Sequence, residues 1–313
     1  METHKTTGEI ETGKIPAGGV SGLLKDYLSL IKVSLSIMEV FSSVIAFLLT
    51  PGADDYVDIW NRIFWLFVGG MLVTGSANAI NQVVEKDTDA VMKRTAKRPV
   101  ASGRMSVQHG WAFAVITGIA GVLILGFFFN MLAAGLAAFS LFLYAFIYTP
   151  LKKVNSIAVL VGAIPGALPC LIGWAAGNND LGIGGWILFA FQFFWQFPHF
   201  WAIAWLAHQD YTRAGFKLLP AEKGPTKFTA MQTVAYSLIL IPVTLAPFVT
   251  GMCTIADLQG KIGLGIIVLA NLFMIGRCVR LYRDMEVKSA RLVMFGSYLY
   301  LPVVMLAMLL AKT

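Results

Sequence analysis

The sequence predicts an all-α membrane protein, a bundle of nine transmembrane helices around a central cavity that is capped on the cytoplasmic side. Three observations support this fold class. Hydrophobic residues make up 57% of the 313 residues and charged residues 13%, and the mean hydropathy is +0.72. Nine apolar runs approach the roughly 20 residues that a helix needs to cross the hydrocarbon core. Basic residues cluster in alternate loops. A composition this apolar excludes an ordinary soluble domain.

The nine runs nearly exhaust the chain and leave no room for a separate soluble domain. They cover residues 29–50, 61–82, 107–127, 131–148, 156–176, 183–207, 228–250, 262–281 and 290–311. Residues 25–313 are therefore predicted to form a single membrane domain. The first 24 residues are polar and mix Glu with Lys, unlike a secretory signal. They are predicted to be a disordered cytoplasmic tail.

The charge distribution predicts the topology. Lysines and arginines follow the second, fourth, sixth and eighth runs, whereas the other loops hold five aspartates and only two bases. Because cytoplasmic loops carry the excess of basic residues, the N-terminus is expected in the cytoplasm and the C-terminus outside. The net charge of +7 is thus explained by topology rather than by nucleic-acid binding. The three cysteines lack C-x-x-C spacing and are predicted to be small buried residues.

Polar side chains gather at the end of the second run. Asn81, Glu85 and Asp89 are spaced by four residues and fall within an arc of roughly 80° on a helix, and Asn78 lies in the same arc. Oxygen ligands of this kind suit Mg²⁺, which is held by one or two carboxylates together with substrate phosphates. Asp87 is turned off this stripe and is a weaker candidate. The second run therefore predicts a divalent cation site at one membrane face.

Basic side chains lie beside these acids. Arg94 and Arg98 follow them directly, and Lys152 and Lys153 follow the fourth run on the same predicted side. Arginines could hold a phosphate by forked hydrogen bonds. For the lysines alone, a solvated positive-inside loop is an equally good explanation. Their position on the same side as the acids favours a phosphate-binding role.

The sixth run is a second polar centre. Gln192, Gln196, His199 and Asp210 fall within an arc of about 60° on an ideal helix, although Pro198 makes the angle approximate. A histidine in a membrane helix often only hydrogen-bonds a neighbouring helix. The stripe shared with Asp210 favours a cavity-facing position for His199.

The other runs carry weaker signals. Glu39 lies inside the first run, where it could face a cavity or hydrogen-bond to Ser42, Ser43 or another helix. Glycines and two prolines in the fifth run indicate close helix packing. The seventh to ninth runs have few polar residues and are predicted to be scaffold.

Several segments resemble the UbiA-type intramembrane prenyltransferases. The Asp-rich motif of that superfamily is similar to NQVVEKDTDAVMKRTAKRP at residues 81–99. Four further segments resemble its protohaem IX farnesyltransferase branch, the haem O synthases: YTPLKK (148–153), GAIPGALP (162–169), PHFWAIA (198–204) and DYTRAGFKLLP (210–220). The resemblance extends from about residue 27 to residue 310. The first motif is typical of the superfamily, and the segments around His199 and Asp210 are typical of the haem branch.

This resemblance implies transfer of a farnesyl group from farnesyl diphosphate to a vinyl group of haem b, giving haem O, in a bacterial or archaeal inner membrane. It implies Mg²⁺ as cofactor, and as partners the lipid bilayer and haem A synthase or oxidase assembly factors. The implied metal ligands are Asn81, Glu85, Asp87, Asp89 and Asp210. Arg94, Arg98, Lys152 and Lys153 would grip the diphosphate, Tyr148 would face the allylic cation, and His199 would contact the haem through its iron or a propionate.

Two positions depart from the superfamily pattern, and two other functions stay open. Glu85 stands where the superfamily usually has Asp, and His199 stands where its second Asp-rich motif has its first acid, leaving Asp210 alone. The nearest alternative is a related enzyme that prenylates an aromatic or quinone precursor. A haem or lipid transporter is a different class, but transporters concentrate polar groups near the midplane, whereas these acids and bases are predicted at one membrane face.

Overall fold

The computed structural model describes residues 19–53, 56–219 and 224–313. Most of the predicted tail, residues 1–18, lies outside the described residues. Residues 19–24 were assigned to the same tail, but they form the start of the first helix, α1 (Gly19–Leu30). Helix α1 therefore begins six residues before the predicted domain boundary at residue 25.

The described residues form a bundle of α-helices with one π-helical segment. After α1 the helices are α2 (Val33–Leu48), α3 (Ile59–Val84), α4 (Lys86–Val91), α5 (Val107–Phe128), α6 (Met131–Phe142), α7 (Thr149–Leu151), α8 (Ala158–Asn178), α9 (Ile183–Leu206), α10 (His208–Arg213), α11 (Lys227–Val249), α12 (Leu258–Asp284) and α13 (Val287–Leu310). The π-helix Leu143–Tyr148 joins α6 to α7. This all-helical architecture agrees with the predicted fold class.

Each predicted apolar run coincides with helix, but the count of nine spans is not confirmed. Within the described ranges, seven helices are long and apolar enough to cross a membrane. An eighth is obtained if α1 and α2, which meet at a bend of 51°, count as one span. The helix α9 is not among the seven, and it carries Gln192, Gln196, Pro198 and His199 in its apolar sequence.

Side-chain caps fix several helix starts. Ser106, Asn130, Thr226 and Asp257 each accept a hydrogen bond from the backbone N–H three residues later, at the beginnings of α5, α6, α11 and α12. Such caps satisfy one of the free donors at a helix start and stabilise it by about 1 kcal/mol each. The helix starts after short connections are therefore set locally by the sequence.

Helix α8 is the centre of the packing. It contacts α2, α6 and α9, and among the seven apolar helices its span is the most enclosed. Its glycines allow this approach: a Cβ at Gly173 would meet the backbone carbonyl of Ser43 on α2, and one at Gly177 would meet the side chain of Thr50. The packing role predicted for the fifth run is thus confirmed, since small residues let membrane helices approach closely.

An apolar cluster joins α9 to α11, α12 and α13. Its buried residues include Leu240, Ile267, Met274 and Leu301. Cys170, Cys253 and Cys278 are all free and buried, as predicted. Helices α11 and α12 contribute no residue to the lining of the cavity described below, whereas α13 does. The scaffold prediction therefore holds for the seventh and eighth runs and is wrong for the ninth.

Candidate active site

A cavity of about 450 Å³ lies inside the bundle, lined by residues of α2 to α6, the π-helix and α8, α9, α10 and α13. Its size is within the range usual for small-molecule sites. One end is charged and is lined by Lys32, Asn81, Glu85, Asp89, Arg94, Arg98 and Lys152. The remaining wall is mostly apolar and includes Leu35, Met38, Val40, Leu125, Leu141, Ile172 and Leu301. The cavity thus combines a polar mouth with an apolar body.

The acid stripe, formed by Asn81, Glu85 and Asp89, stays on one face although its helix is interrupted. Helix α3 ends at Val84, and Glu85 separates it from α4. The helical hydrogen bonds continue across the break, because Glu85 N donates to Asn81 O at 3.0 Å and Asp89 N donates to Glu85 O at 2.7 Å. Asn81, Glu85 and Asp89 are all buried and all line the cavity. The predicted common face of these three residues is confirmed.

Each of the three oxygen-bearing side chains faces a base. Lys32 Nζ donates to Asn81 Oδ1 at 3.1 Å, Lys152 Nζ to Glu85 Oε1 at 2.8 Å, and Arg98 to Asp89 Oδ2 at 2.6 Å. Buried charges are tolerated when they are paired and hydrogen-bonded. The bases come from separate parts of the chain: Lys32 precedes α2, Lys152 follows α7 and Arg98 follows α4. The three contacts therefore bring these segments together at the acid stripe.

Lys32 lies at the bend between α1 and α2. Its backbone is left-handed, with φ 49° and ψ 58°, a conformation uncommon for residues other than glycine. This turn produces the bend of 51° and allows the side chain to reach Asn81. Two amides of α3 donate to backbone carbonyls of this bend: Asn78 to that of Ile31, and Gln82 to those of Ser29 and Leu30. The bend is therefore held against α3.

Lys152 lies just beyond the fourth span and contacts the segment that follows α10. Its Nζ is 4.6 Å from the centroid of the Tyr148 ring, and its carbonyl accepts a hydrogen bond from Lys217 N at 3.0 Å. Burial alone would lower the pKa of Lys152, but the neighbouring Tyr148 and Glu85 outweigh burial and raise it above the ordinary value. The ammonium form is therefore retained at neutral pH.

The π-helix brings two tyrosines to the cavity wall. Tyr144 and Tyr148 both line the cavity, with ring centroids 5.2 Å apart. Pro150 lacks a backbone N–H and so cannot continue the helical hydrogen bonds. Beside it, the side chain of Thr149 donates from Oγ1 to the Tyr144 carbonyl at 2.8 Å. A single π turn inside a helix is often found at a functional site.

The charged end could hold a divalent cation together with phosphates. Among residues 19–53, 56–219 and 224–313, no group of three or more His, Cys, Asp or Glu side chains could hold a metal by itself. Mg²⁺ needs only one or two carboxylates when substrate phosphates complete its shell. Asp89 Oδ1 is buried without a hydrogen-bonding partner, so an acceptor remains at this point. The oxygen set of Asn81, Glu85 and Asp89 fits such a shared ion.

Not all predicted site residues line the cavity. Arg94 is exposed but lines it, whereas Asp87 and Lys153 are exposed and lie outside the lining. Asp210, on α10, is half-buried and is also outside the lining. The roles predicted for Asp87, Lys153 and Asp210 therefore stay predictions that the cavity itself does not support.

The polar stripe of α9 is partly used for packing. Gln192 Nε2 donates to Gly166 O at 3.0 Å and Gln196 Nε2 to Ala163 O at 2.9 Å, both on α8. His199 also lines the cavity and contacts α13. Glu39 lines the cavity as well, and the hydroxyl of Ser42 donates instead to Met38 O. The cavity-facing placement of His199 and Glu39 is therefore what the structure shows.

Three residues at the site were not predicted from the sequence. Lys32 is the only base in the first apolar run, a signal that could have been used. Ser297 and Tyr298 lie in the ninth run, where no local pattern distinguishes them. They reach the site only because α13 packs against α9 and α2.

The match to a sequence family decides the assignment. The UbiA prenyltransferase family matches residues 40–301. The chain belongs to this family. Among curated members, "Protoheme IX farnesyltransferase" of Cytophaga hutchinsonii is 42% identical over 91% of this chain and 97% of its own length. The protein of the same name from Flavobacterium psychrophilum is 40% identical over 94% of this chain and 96% of its own.

The UbiA fold is also found by structural comparison. A UbiA homolog from Archaeoglobus fulgidus, solved bound to GPP and Mg²⁺, superposes with a TM-score of 0.66 over 90% of this chain and 99% of its own, at 16% sequence identity. Identity this low establishes the shared fold alone. This UbiA family member is therefore an integral membrane protein whose charged cavity mouth is built from α3, α4 and the bend before α2.

Proposed function

We propose that the protein transfers a farnesyl group from farnesyl diphosphate to a vinyl group of protohaem IX, giving haem O. The observation that carries this proposal is the charged mouth on an apolar cavity, in a chain that covers nearly the full length of relatives named "Protoheme IX farnesyltransferase". A diphosphate suits the mouth and a prenyl chain suits the apolar body. Haem biosynthesis for terminal oxidases is the context this reaction serves.

The bases of the mouth would bind the diphosphate. Lys32, Arg98 and Lys152 now donate to Asn81, Asp89 and Glu85, and Arg94 lines the same end of the cavity. Substrate phosphate oxygens can accept hydrogen bonds from these bases, which are already placed at the cavity mouth. Arginine suits this role through its forked donor geometry.

Asn81, Glu85 and Asp89 would hold Mg²⁺ beside the diphosphate. Once bound, the ion would stabilise the negative charge that develops on the departing diphosphate. The position of the ion would be set by the protein, because Asp89 is held in place. Its carboxylate accepts a hydrogen bond from Arg98, and its backbone carbonyl accepts one from Thr95 Oγ1 at 3.0 Å. Such prearranged charge supplies a large share of catalysis in reactions of this kind.

The apolar body would protect the reacting carbon. As the C1–O bond of the farnesyl group breaks, the electron pair leaves with the diphosphate. The vinyl group of the acceptor then supplies the electrons of the new C–C bond, and water adds to its other carbon and loses a proton to give the hydroxyl. Tyr144 and Tyr148 would present their rings to the allylic cation, and the apolar wall would exclude other water from it.

The finer features of the biological setting belong to the same proposal. The protein is an integral membrane protein, and we place the charged mouth and the N-terminus on the cytoplasmic side of a bacterial or archaeal cell membrane. Basic residues follow the helices that end on this side. Haem A synthase or oxidase assembly factors are the partners that would receive the product.

Product mass tests the proposal. Detergent-purified protein is offered farnesyl diphosphate with protohaem IX or with an aromatic acid acceptor, and the products are analysed by mass spectrometry. We expect haem O only, together with diphosphate release. Prenylation of the aromatic acid alone would assign the protein to another UbiA activity. Solute flux into vesicles without diphosphate release would establish a transporter.

A further inference from the structure

The His199 ring is held rigidly between α9 and α13. Trp195 stacks on it with centroids 5.0 Å apart and planes at 15°, and Tyr298 meets it edge-on at 4.7 Å. Trp195 is itself fixed, because its Nε1 donates to Ser297 O at 2.9 Å. The imidazole, 4% exposed, nevertheless lines the cavity. Its orientation in the cavity wall is thus determined by three neighbours.

The hydrogen bonds of Ser297 determine which nitrogen of His199 carries the proton. Ser297 Oγ lies 2.7 Å from His199 Nδ1 and 2.7 Å from the Met294 carbonyl oxygen. A carbonyl can only accept and a hydroxyl has one proton, so the serine must donate to Met294. His199 Nδ1 must then donate to Ser297. In the neutral ring this leaves Nε2 as an unprotonated nitrogen with a free lone pair.

An unprotonated Nε2 suits a metal ion and does not suit a carboxylate. Nδ1 faces α13, so Nε2 is the nitrogen left for the cavity, and within the described ranges no side chain donates to it. A haem propionate would need a donor from His199, which this tautomer lacks. Metal-bound histidines commonly donate their other ring N–H to an oxygen, as Nδ1 does here.

We propose that His199 Nε2 binds the iron of the porphyrin acceptor as an axial ligand, and that Ser297 is the positioning residue that fixes its tautomer and orientation. The inference rests on the proposed function, and it chooses iron over propionate as the contact of His199. Gln192 and Gln196 cannot replace it readily, because their amide groups donate to α8. Iron ligation would set the porphyrin at a fixed distance from α9 during transfer.

Two porphyrins separate ligation from other contacts. Full-length purified protein is titrated with ferric protohaem IX and with metal-free protoporphyrin IX, in which two N–H protons take the place of the iron, and binding is followed by optical spectra. We expect the native protein to shift the haem Soret band. His199→Ala should lose that spectrum and bind haem at least about tenfold more weakly, while it binds the metal-free porphyrin like the native protein.

Variants of Ser297 test the positioning role. Ser297→Ala should keep the ligated spectrum but weaken haem binding by about tenfold, within the range found when the partner of a ligating histidine is removed. Ser297→Thr retains the hydroxyl and should recover most of this loss. His208→Ala, on α10 outside the cavity lining, is the matched control and should behave like the native protein.

The outcomes distinguish ligation from the function on which it rests. Equal loss of both porphyrins in His199→Ala would assign this residue to a propionate or to packing and overturn ligation. An unchanged haem spectrum in His199→Ala would also overturn it, while haem O formation by the native protein leaves the proposed function intact. A native protein that forms no haem O and binds neither porphyrin would refute the proposed function and the ligation together.

Discussion

Glu85 and Lys152 form a buried ion pair, with Lys152 Nζ 2.8 Å from Glu85 Oε1, that joins the break after α3 to the segment after α7. Both side chains are less than one tenth exposed. The pair therefore couples two distant segments at the mouth of the cavity. Breaking a buried pair by removing one partner leaves an unpaired charge and costs about 3–5 kcal/mol.

Replacing Lys152 should impair both stability and substrate binding. We expect Lys152→Ala to raise the KM for farnesyl diphosphate at least about tenfold and to lower the unfolding temperature, because Glu85 loses its partner. Lys153→Ala is the matched control, since Lys153 is exposed and outside the cavity lining. Steady-state kinetics and thermal unfolding measure the two effects. Equal effects of both substitutions would contradict the buried pair.

The same pair predicts a pH dependence. The folded-state pKa of Lys152 is raised above its ordinary value of 10.5, by Tyr148 and Glu85 against the opposing effect of burial. A raised lysine pKa contributes stability that is fully present below the ordinary value and is lost as pH rises through the folded value. Between pH 7 and 9.5 we therefore expect no loss of stability from Lys152. A native-minus-Lys152→Ala difference that shrinks within this window would contradict the assignment.

Two aspartates of α4, Asp87 and Asp89, lie two and four residues after the helix break at Glu85, and comparing them separates a metal ligand from a surface charge. Asp89→Asn should lower haem O formation by about 10²-fold or more, because a charge placed for the transition state is lost. Asp87→Asn changes the same group two residues earlier, where the side chain is exposed, and should retain activity. Chelation should abolish native activity, and added Mg²⁺ should restore it. Full activity of Asp89→Asn, or in chelator, would exclude the proposed metal site.

Lys32 offers a test that keeps the backbone intact. Asparagine tolerates the left-handed conformation that Lys32 adopts, so Lys32→Asn removes the charge without opposing the bend. We expect a KM for farnesyl diphosphate raised about tenfold and a stability loss of about 1–3 kcal/mol, because the buried Asn81 Oδ1 loses its donor. Lys25→Asn, at an exposed lysine of α1, is the control. A KM unaffected by Lys32→Asn would remove this residue from the diphosphate site.

Periodicity predicted the acid stripe because the local hydrogen bonds preserve it. Asn81 and Asp89 are separated by one break at Glu85, across which the helical bonds continue. The same reasoning placed Asp210 with His199, but α9 contains Pro198 and ends at Leu206 before that residue. The angle between two residues on an ideal helix is therefore not preserved across a proline and a helix end. Asp210 accordingly lies outside the cavity lining.

Residues brought in by tertiary packing had no local signal. Ser297 is one of several small polar residues in a run that looks like scaffold, and its role depends on α13 lying against α9. Lys32 adopts its left-handed backbone without the glycine that usually marks such a turn. The polar chemistry of α3 and α9 is therefore predictable from the sequence, whereas the neighbours that orient it are not.

A glycine beside Tyr148 is expected to control the position of the mouth. A Cβ at Gly162 would overlap the Tyr148 ring, which lies 4.6 Å from Lys152 Nζ. Gly162→Ala should displace the ring and lower haem O formation, with a stability loss of about 1–3 kcal/mol from overpacking. Gly135→Ala, on α6 with no atom within 4 Å of the added methyl, should be neutral. Activity and thermal unfolding of the two variants give the comparison.

Cysteine labelling tests the topology and the number of spans together. The native cysteines Cys170, Cys253 and Cys278 are buried, so a membrane-impermeant thiol reagent should reach only an introduced cysteine. With nine spans and a cytoplasmic N-terminus, the exposed Lys153 lies inside the cell and the exposed Ala256 lies outside. In intact cells we expect labelling of Ala256→Cys and none of Lys153→Cys until the membrane is permeabilised. Lys153 and Ala256 are separated by α8, α9 and α11, so labelling of both from the same side would mean that these three helices do not all span the membrane and that the count of nine is wrong.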